Sequence, residues 1–140
     1  SDDGFGFSLT AGHFGRDQQG RTFEDLAIRA PGEETTSIET GGGALTVGYG
    51  SPRGLTGTGS QTITEQIADD LGIDVGQTRQ LASIASGEQD TDNLLIGSLD
   101  WLHVIASTSA GLDTSQQHRW TSTTLGHPDV WFGLASTITG

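Results

Sequence analysis

Residues 62–87 form the longest stretch of this chain in which apolar side chains recur at a helical period. The first apolar residues of this stretch lie four positions apart and therefore share one helical face: Ile63, Ile67 and Leu71. Thr62 and Glu65 have the spacing of a capping box at the start of a helix, and Gly72 is the residue type that most easily ends one. The pattern predicts a short helix that ends at Gly72.

A second helix is predicted to follow, with Asp74 as its N-cap, Gln77 three residues later and Gly87 at its end. Its apolar residues would cover a neighbouring sheet: Val75, Leu81, Ala82 and Ala85. Two helices joined by the residues LGID also resemble a helix-turn-helix, a motif that binds DNA. However, the first helix is acidic and the second carries a single base, Arg79, whereas phosphate contacts require several cations. Nucleic-acid binding is therefore a disfavoured interpretation.

The rest of the chain is typical of short strands separated by turns. Apolar residues alternate with small or polar ones over 5–9 and 45–49, as in strands with one buried face, and a closing strand is predicted over 130–138. The run at 94–107 is apolar at both even and odd positions. It predicts a strand buried on both sides, either in the centre of a sheet or against a neighbouring subunit.

Weaker signals complete the pattern. Residues 22–29 and 119–125 are interpreted as further strands, and 108–118 as a surface loop. Gly57 and Gly59 precede the first helix, where glycines can cradle a phosphate. A P-loop requires a lysine, which this chain lacks, so we interpret the two glycines as a flexible connector.

The predicted architecture is α+β and strand-dominated. We expect a single domain over residues 1–140, built as an antiparallel β-sandwich or barrel of about 7–8 strands with the helical pair inserted at about 62–87. The composition agrees with this expectation, because 22 of the residues are glycine, which suits strands and turns better than helical bundles.

The charge of the chain indicates its surroundings. Eighteen acidic residues outnumber six basic ones, all of them arginine, for a net charge of −12, and lysine is absent. This composition is typical of a halophile or of a GC-rich genome. In a halophile, salt keeps such an acidic surface soluble, and its removal leaves the self-repulsion of the protein unscreened.

Several classes of chemistry are disfavoured. The absence of cysteine excludes disulfides, thiolate zinc sites and cysteine nucleophiles. The histidines lack the i, i+4 spacing of a helical metal site, and no G-x-S-x-G elbow occurs. Asp90, Asp92 and Asn93 bring oxygen ligands together as a calcium loop does, but the glycine and distal glutamate of an EF-hand are missing. We therefore predict a non-enzymatic protein without a cofactor, with these three residues as its candidate metal ligands.

Two short segments resemble the avidin family. WTSTTLGHPDVWF at 120–132 is similar to the last strands of that family, and GALTVGYGS at 43–51 is similar to its third strand, whose tyrosine and serine hold the ureido group of biotin. The resemblance implies a barrel that binds a small ligand such as biotin. The residues it nominates for that site are Tyr49, Ser51, Trp101, Trp120 and Asp129.

The function we predict is assembly. Scarce apolar residues, three tryptophans and strands with few charges at their edges suit a structural subunit of an extracellular or virion particle. Such a subunit would associate with copies of itself or with other subunits, with Trp131 and Phe132 at the interface. The alternatives are an avidin-like binding barrel and, less favoured, an acidic helix-turn-helix protein. No apolar run approaches the roughly 20 residues of a membrane-spanning helix, so no membrane span is predicted.

Overall fold

The structure is a computed structural model that describes residues 4–16, 22–32, 42–86 and 90–126. These segments contain eight strands and one short helix. In chain order the elements are β1 (Ser8–Gly12), β2 (Asp25–Ala30), β3 (Ala44–Ser51), β4 (Gly54–Ile63), α1 (Glu65–Leu71), β5 (Gln80–Ala85), β6 (Asp92–Gly97), β7 (Trp101–Thr108) and β8 (Gly111–Thr121). The predicted strand-dominated fold is confirmed, whereas the predicted strand at 130–138 lies outside the described residues.

The strands form two four-stranded antiparallel sheets, and each sheet is a simple meander. The first contains β1 to β4 and the second contains β5 to β8, with every strand beside its neighbour in sequence. Side chains from both sheets share one hydrophobic core: Phe14, Leu45, Val47, Tyr49, Ile63, Leu81, Leu94, Ile96, Trp101, Ile105 and Leu112. No hydrogen-bonded ladder within the described segments joins one sheet to the other, so the sheets do not close into a barrel.

The two sheets come closest where β1 passes β5. The backbone N–H of Asp92 donates to the carbonyl of His13 at 2.6 Å, and the N–H of His13 donates to the Asp92 carboxylate at 2.9 Å. Gly12 fits this approach because a Cβ at its position would lie 2.8 Å from the Cβ of Ser83. A side chain at Gly12 would therefore push the first sheet away from the second.

A second seam joins β4 to the start of β8. Both polar atoms of the Gln61 side-chain amide bond to the backbone of Leu112. Nε2 donates to the Leu112 carbonyl at 3.2 Å, and Oε1 accepts from the Leu112 N–H at 2.8 Å. The Tyr49 hydroxyl donates to the same Oε1. Gly111 has a φ of +113°, and a Cβ there would collide with Tyr49 and Gln61. One polar cluster thus ties the far ends of the two sheets together.

The predicted first helix forms, and it ends as expected at Gly72, which has a φ of +70°. It starts later than predicted, because Thr64 is its N-cap and Thr62 belongs to β4. The Thr62 hydroxyl lies 3.1 Å from the hydroxyl of Thr46 on the neighbouring strand. Pairing with β3 therefore competes with the capping box for Thr62, and the strand wins.

The predicted second helix is wrong. Asp74 does act like an N-cap, because its carboxylate accepts from the Gln77 N–H at 3.0 Å, but only a turn follows. The chain then enters β5, where Leu81 lies opposite Ile96 and Ser83 lies opposite Leu94 in the ladder with β6. The inserted helical pair is therefore one helix, a turn and a strand. Without a second helix, residues 62–86 do not form a helix-turn-helix.

The apolar run at 94–107 is two strands and not one. β6 and β7 form a hairpin whose turn is closed by the Ser98 N–H, which donates to the Trp101 carbonyl at 2.9 Å. The turn changes the phase of the alternation, so that Ile96 and His103 are directly opposite each other and both are buried. The long run is apolar on both parities for two reasons. β6 is itself buried at even and odd positions, with Leu94, Leu95 and Ile96 at most 1% exposed, and β7 follows with the opposite phase.

Two predicted loops are strands. Gly57 and Gly59 lie in β4, within four residues that face the single residue Gly48 because the register jumps between Val47 and Tyr49. The predicted surface loop at 108–118 is the end of β7, a tight turn and most of β8. In β8 cross-strand pairing overrides the preference of polar residues for loops, whereas Gly57 and Gly59 lie in a bulge whose flanking residues, Thr56 and Gln61, pair with β3.

The N-terminal strand is shifted. It was expected over 5–9 with its aromatic residues half-buried, but β1 spans Ser8–Gly12, and Phe5 and Phe7 precede it with 70% and 59% exposure. Ser8 instead faces the second sheet, where its Oγ accepts from the Leu81 N–H at 3.0 Å. Apolar side chains of this segment consequently remain on the surface.

Candidate functional site

The outer face of the first sheet carries no charged side chain among the residues that define it. Cross-strand register places Leu9 opposite Ile28, Ile28 opposite Thr46, and Thr46 opposite Thr62. The outer face consists of Leu9, Ala11, Leu26, Ile28, Thr46, Gly48 and Thr62. Leu9 is 53% exposed, and the central residues Ile28 and Thr46 are half-buried. The face is therefore an accessible, uncharged surface on a strongly acidic protein.

Charges in the described segments are displaced from this face. The acidic residues lie in the helix, in turns, at strand ends or near the start of β8: Glu24, Asp25, Glu65, Asp69, Asp70, Asp74, Asp90, Asp92, Asp100 and Asp113. Arg29 lies on the inner face of β2, where it is buried. At the rim, His13 and Glu24 pair with 3.3 Å between Nε2 and Oε1. As far as the described residues go, two copies that approach through the outer face place no like charges together.

Tyr49 and Ser51, nominated by the resemblance to avidins, already have partners in the chain. Tyr49 is buried, its hydroxyl donates to Gln61, and the Leu112 N–H approaches the same oxygen at 3.3 Å. Burial raises the pKa of Tyr49, so its hydroxyl stays protonated. The Ser51 hydroxyl donates to the Gly54 carbonyl at 2.7 Å in the β3–β4 turn. Both hydroxyls therefore make hydrogen bonds within the protein, Tyr49 between the two sheets and Ser51 within the β3–β4 turn.

The two nominated tryptophans lie on opposite faces of the second sheet. Trp101 is buried in the core, with the Arg119 guanidinium 5.3 Å from the centre of its ring. Trp120 pairs with Leu102 and faces outward, half-buried. The structure therefore does not bring these tryptophans into one cavity. Asp129, the fifth residue of this set, lies outside the described residues, as do the predicted interface residues Trp131 and Phe132.

The candidate metal ligands are separated by the alternation of β6. Asp92 binds the N–H of His13, while Asn93 on the next position accepts from the Ser107 N–H at 3.2 Å. Asp90 is exposed beside them, and together with His13 it borders an open cavity of about 510 Å³. Across the described residues, no group of three or more His, Cys, Asp or Glu side chains is close enough to hold a metal ion.

The interior contains a polar group that sequence reasoning did not single out. His103 is 1% exposed, and its Nε2 contacts the Gln117 Oε1, while its Nδ1 finds no hydrogen-bond partner in the described part of the chain. Desolvation lowers the pKa of His103; the Gln117 contact opposes this effect, and Arg119 reinforces it. His103 is therefore a neutral core residue. The alternation of apolar residues around position 103 was the sequence signal that could have placed this histidine in the core.

The core offers no space for a ligand next to the helix. Between Leu45, Ile63 and Ile96, the void left by the packed side chains does not admit a water molecule. A buried small-ligand site would require a cavity of about 300 Å³ or more. This part of the core is thus packed, and the open cavities beside β6 and along β8 are on the surface.

Comparison with known proteins identifies no relative. Neither a family model, nor a curated protein, nor a solved structure matches this chain. The described residues contain one α-helix, the seven-residue α1, and no helix among them is long and apolar enough to cross a membrane. Function is therefore inferred from the exposed outer faces of the two sheets.

Proposed function

We propose that this protein is a non-enzymatic assembly subunit that associates with copies of itself through the outer face of the first sheet. The observation that carries this proposal is that face: an exposed leucine, two half-buried aliphatic residues and no charge, on a chain with a net charge of −12. Exposed apolar patches on soluble proteins commonly mark interaction sites. A second copy is the occupant that the charge distribution favours, because the remaining acidic surface repels it elsewhere.

The edge of the first sheet supports the same function. β4 is a ten-residue edge strand without a single charged residue, and seven of its residues are exposed. Long uncharged edges tend to pair with other chains unless charge, a bulge or a covering segment blunts them. Residues 57–60 of β4 form a bulge opposite Gly48, and Arg16 Nη1 donates to the Gly59 carbonyl at 2.6 Å. Only the residues of β4 outside this bulge are therefore available to extend contacts that begin on the outer face.

The size of the face sets the expected strength of one contact. Four strands about 4.8 Å apart and paired over about five residues of 3.4 Å each cover roughly 300 Å² in projection. A standard stable interface buries about 800 Å² on each partner. One face-to-face contact is therefore at the weak end, and we expect association to depend on concentration and to be strengthened by salt, which screens the acidic repulsion.

The test is the molar mass in solution. Light scattering of the 14.6 kDa chain is measured over a range of concentrations, at low and at multimolar salt. We expect a mass above that of the monomer which rises with concentration in high salt. A strictly monomeric particle at high concentration and high salt would overturn the proposal.

The interface is tested by a matched pair of variants. Leu9→Asp places a charge on the outer face, whereas Leu125→Asp changes a leucine of similar exposure, 46% against 53%, in the turn after β8. We expect Leu9→Asp to shift the mass to the monomer and Leu125→Asp to leave it unchanged. Equal effects of the two variants would show that copies associate through another surface.

We further propose that the assembly belongs to an extracellular surface or a virion, in a high-salt environment. The acidic, lysine-free and cysteine-free composition supports this setting. The test of this location is immunodetection of the protein in washed extracellular or virus particles and in the cell lysate of the source organism. Recovery in the lysate alone would refute the proposed location without affecting the proposal of self-association.

A further inference from the structure

A bulge in β8 creates an open groove on the outer face of the second sheet. Ile105 of β7 lies opposite Gln117, but the next residue, Ala106, lies opposite Asp113. Residues 114–116 are therefore extra on β8, and such extra residues bend a strand away from its partner. The resulting groove has a volume of about 400 Å³ and is lined by Val104, Ala106, Ser115, Gln116, Gln117, His118 and Trp120.

The bulge side of the groove is held in place by one carboxylate. Asp113 Oδ1 accepts from the N–H of Ser115 at 3.0 Å and from its hydroxyl at 2.5 Å, and Asp113 Oδ2 accepts from Gln116 Nε2 at 2.9 Å. The Ser115 hydroxyl, and after it Gln116, lowers the pKa of Asp113, so the carboxylate remains ionised and bonded at neutral pH. The groove wall is therefore preorganised before any ligand arrives.

The opposite side of the groove is aromatic. Trp120 and His118 both point outward from β8, with 4.3 Å between their ring centres in an edge-on arrangement. Trp120 is half-buried, so part of its indole remains available to a ligand. Outward-facing Val104 and Ala106 supply an apolar base between the two sides.

We propose that this groove binds a neutral carbohydrate. Its polar lining groups are two amides and a hydroxyl that are partly engaged within the chain, since Ser115 Oγ and Gln116 Nε2 donate to Asp113 and Gln117 Oε1 contacts His103. Ser115 Oγ and Gln116 Oε1 can still accept a hydrogen bond and Gln117 Nε2 can still donate one, which matches the mixed donors and acceptors of sugar hydroxyls. The C–H face of a pyranose ring can pack against the indole of Trp120, an aromatic surface with a polar N–H at its edge. The volume of about 400 Å³ falls within the usual range of small-ligand sites, roughly 300–1,000 Å³.

Charged ligands fit the lining less well. The groove residues include no arginine, so His118 is the one lining side chain that can carry a positive charge toward an anion, on a protein with a net charge of −12. The nearby carboxylate of Asp113 already accepts three hydrogen bonds, so it has less capacity to bind a cation. The neutral, hydroxyl-rich class is the one that matches both sides of the groove. This proposal does not depend on self-association, because the groove is on the other sheet.

The test is isothermal titration calorimetry with three neutral trisaccharides, cellotriose, maltotriose and chitotriose, at millimolar concentrations. We expect at least one of them to bind, and Trp120→Ala to weaken its affinity at least about tenfold, equivalent to about 1.4 kcal/mol. Trp120→Phe, which retains an aromatic ring, should lose less. Circular dichroism of each variant establishes that it is folded.

A matched glutamine pair separates the groove from the rest of the surface. Gln116→Ala removes an amide that lines the groove, whereas Gln77→Ala removes one from the exposed turn after α1. We expect only the first substitution to weaken binding. Absence of binding by all three trisaccharides, or binding that is insensitive to Trp120→Ala, would overturn the proposal. Binding of an uncharged threonine-rich hexapeptide in place of the sugars would instead indicate strand addition at the β8 edge.

Discussion

Arg29 is a buried cation that fixes the turn between the two sheets, and its removal gives the sharpest test of how the fold is held together. Its side chain is 2% exposed. Nε donates to the Val75 carbonyl at 3.0 Å and Nη2 donates to the Gly76 carbonyl at 2.8 Å. The guanidinium carbon also lies 4.8 Å from the centre of the Phe7 ring. One side chain of β2 therefore holds both the turn before β5 and the N-terminal segment.

We predict that Arg29→Met lowers the free energy of unfolding by about 2–4 kcal/mol. Hydrogen bonds to a charged group contribute roughly 1.5–3 kcal/mol each, and two of them are lost. Two effects reduce the sum. Gly76 is exposed, so water can replace the donor at its carbonyl. Burial lowers the pKa of Arg29 to about 10, mainly by desolvation, with Arg79 reinforcing the shift and Asp74 opposing it, and methionine removes that desolvation cost.

The assay is urea unfolding followed by circular dichroism, at one protein concentration and one salt concentration, because association also shifts apparent stability. The control is Arg53→Met, which changes an exposed arginine whose backbone N–H, and not its side chain, binds Ser51. We expect the control to stay within about 0.5 kcal/mol of the unsubstituted protein. If Arg29→Met also stays within that range, the contacts of Arg29 with the turn do not stabilise the fold, and the reasoning is refuted.

Three further predictions concern the core and the ligand question. His103 has a lowered pKa in the folded state, so the unfolded protein binds a proton at this residue more readily than the folded protein does. The free energy of unfolding should therefore be unaffected by His103 above about pH 6.5 and should decline below that pH, by at most about 1.4 kcal/mol per pH unit for this group. Urea unfolding at several pH values should show a shallower decline for His103→Gln than for the exposed control His118→Gln, and equal declines would contradict this assignment. Gly111→Ala should cost about 2 kcal/mol or more, because φ is +113° and the new Cβ meets Tyr49, whereas Gly57→Ala, with open space around it, should cost far less in the same assay. Tryptophan fluorescence should not shift on addition of biotin, because the described residues of the avidin-like set do not share a cavity, and a saturable shift would restore that alternative.

Signals that depend on adjacent residues were readable from the sequence. Gly72 ends α1 in the left-handed conformation that glycine adopts most easily, as predicted. Asp74 caps the following turn, also as its residue type suggests. Such signals are reliable because the hydrogen bonds that satisfy them lie within a few residues of chain.

Signals that depend on a partner strand were not readable. Residues 80–85 have apolar side chains compatible with a helix or a strand, and the ladder with β6 decides for the strand. The run at 94–107 conceals a hairpin because the tight turn before Trp101 contains no glycine or proline. In each case the deciding hydrogen bonds join residues distant in sequence.

The candidate surfaces show the same division. The alternation over 45–49 indicated which residues of β3 face the core, and Leu45, Val47 and Tyr49 are buried. In β2, however, Leu26 and Ile28 face outward, which the sequence did not show. Trp120 was nominated for a buried pocket, and the register of β8 places it on an external groove instead. The sequence therefore assigned exposure in β3 but not in β2 or β8.

The sequence by itself determined that this chain is acidic and cysteine-free, because charge and composition do not depend on the fold, and its short alternating segments indicated that strands dominate. It also determined where the helix ends, since that choice is local. Only the tertiary structure decided the register and phase of the strands, and with them which residues became core and which became surface. A shift of one residue in a strand exchanges its two faces, so packing between sheets, and not local preference, placed the uncharged face and the groove on the outside.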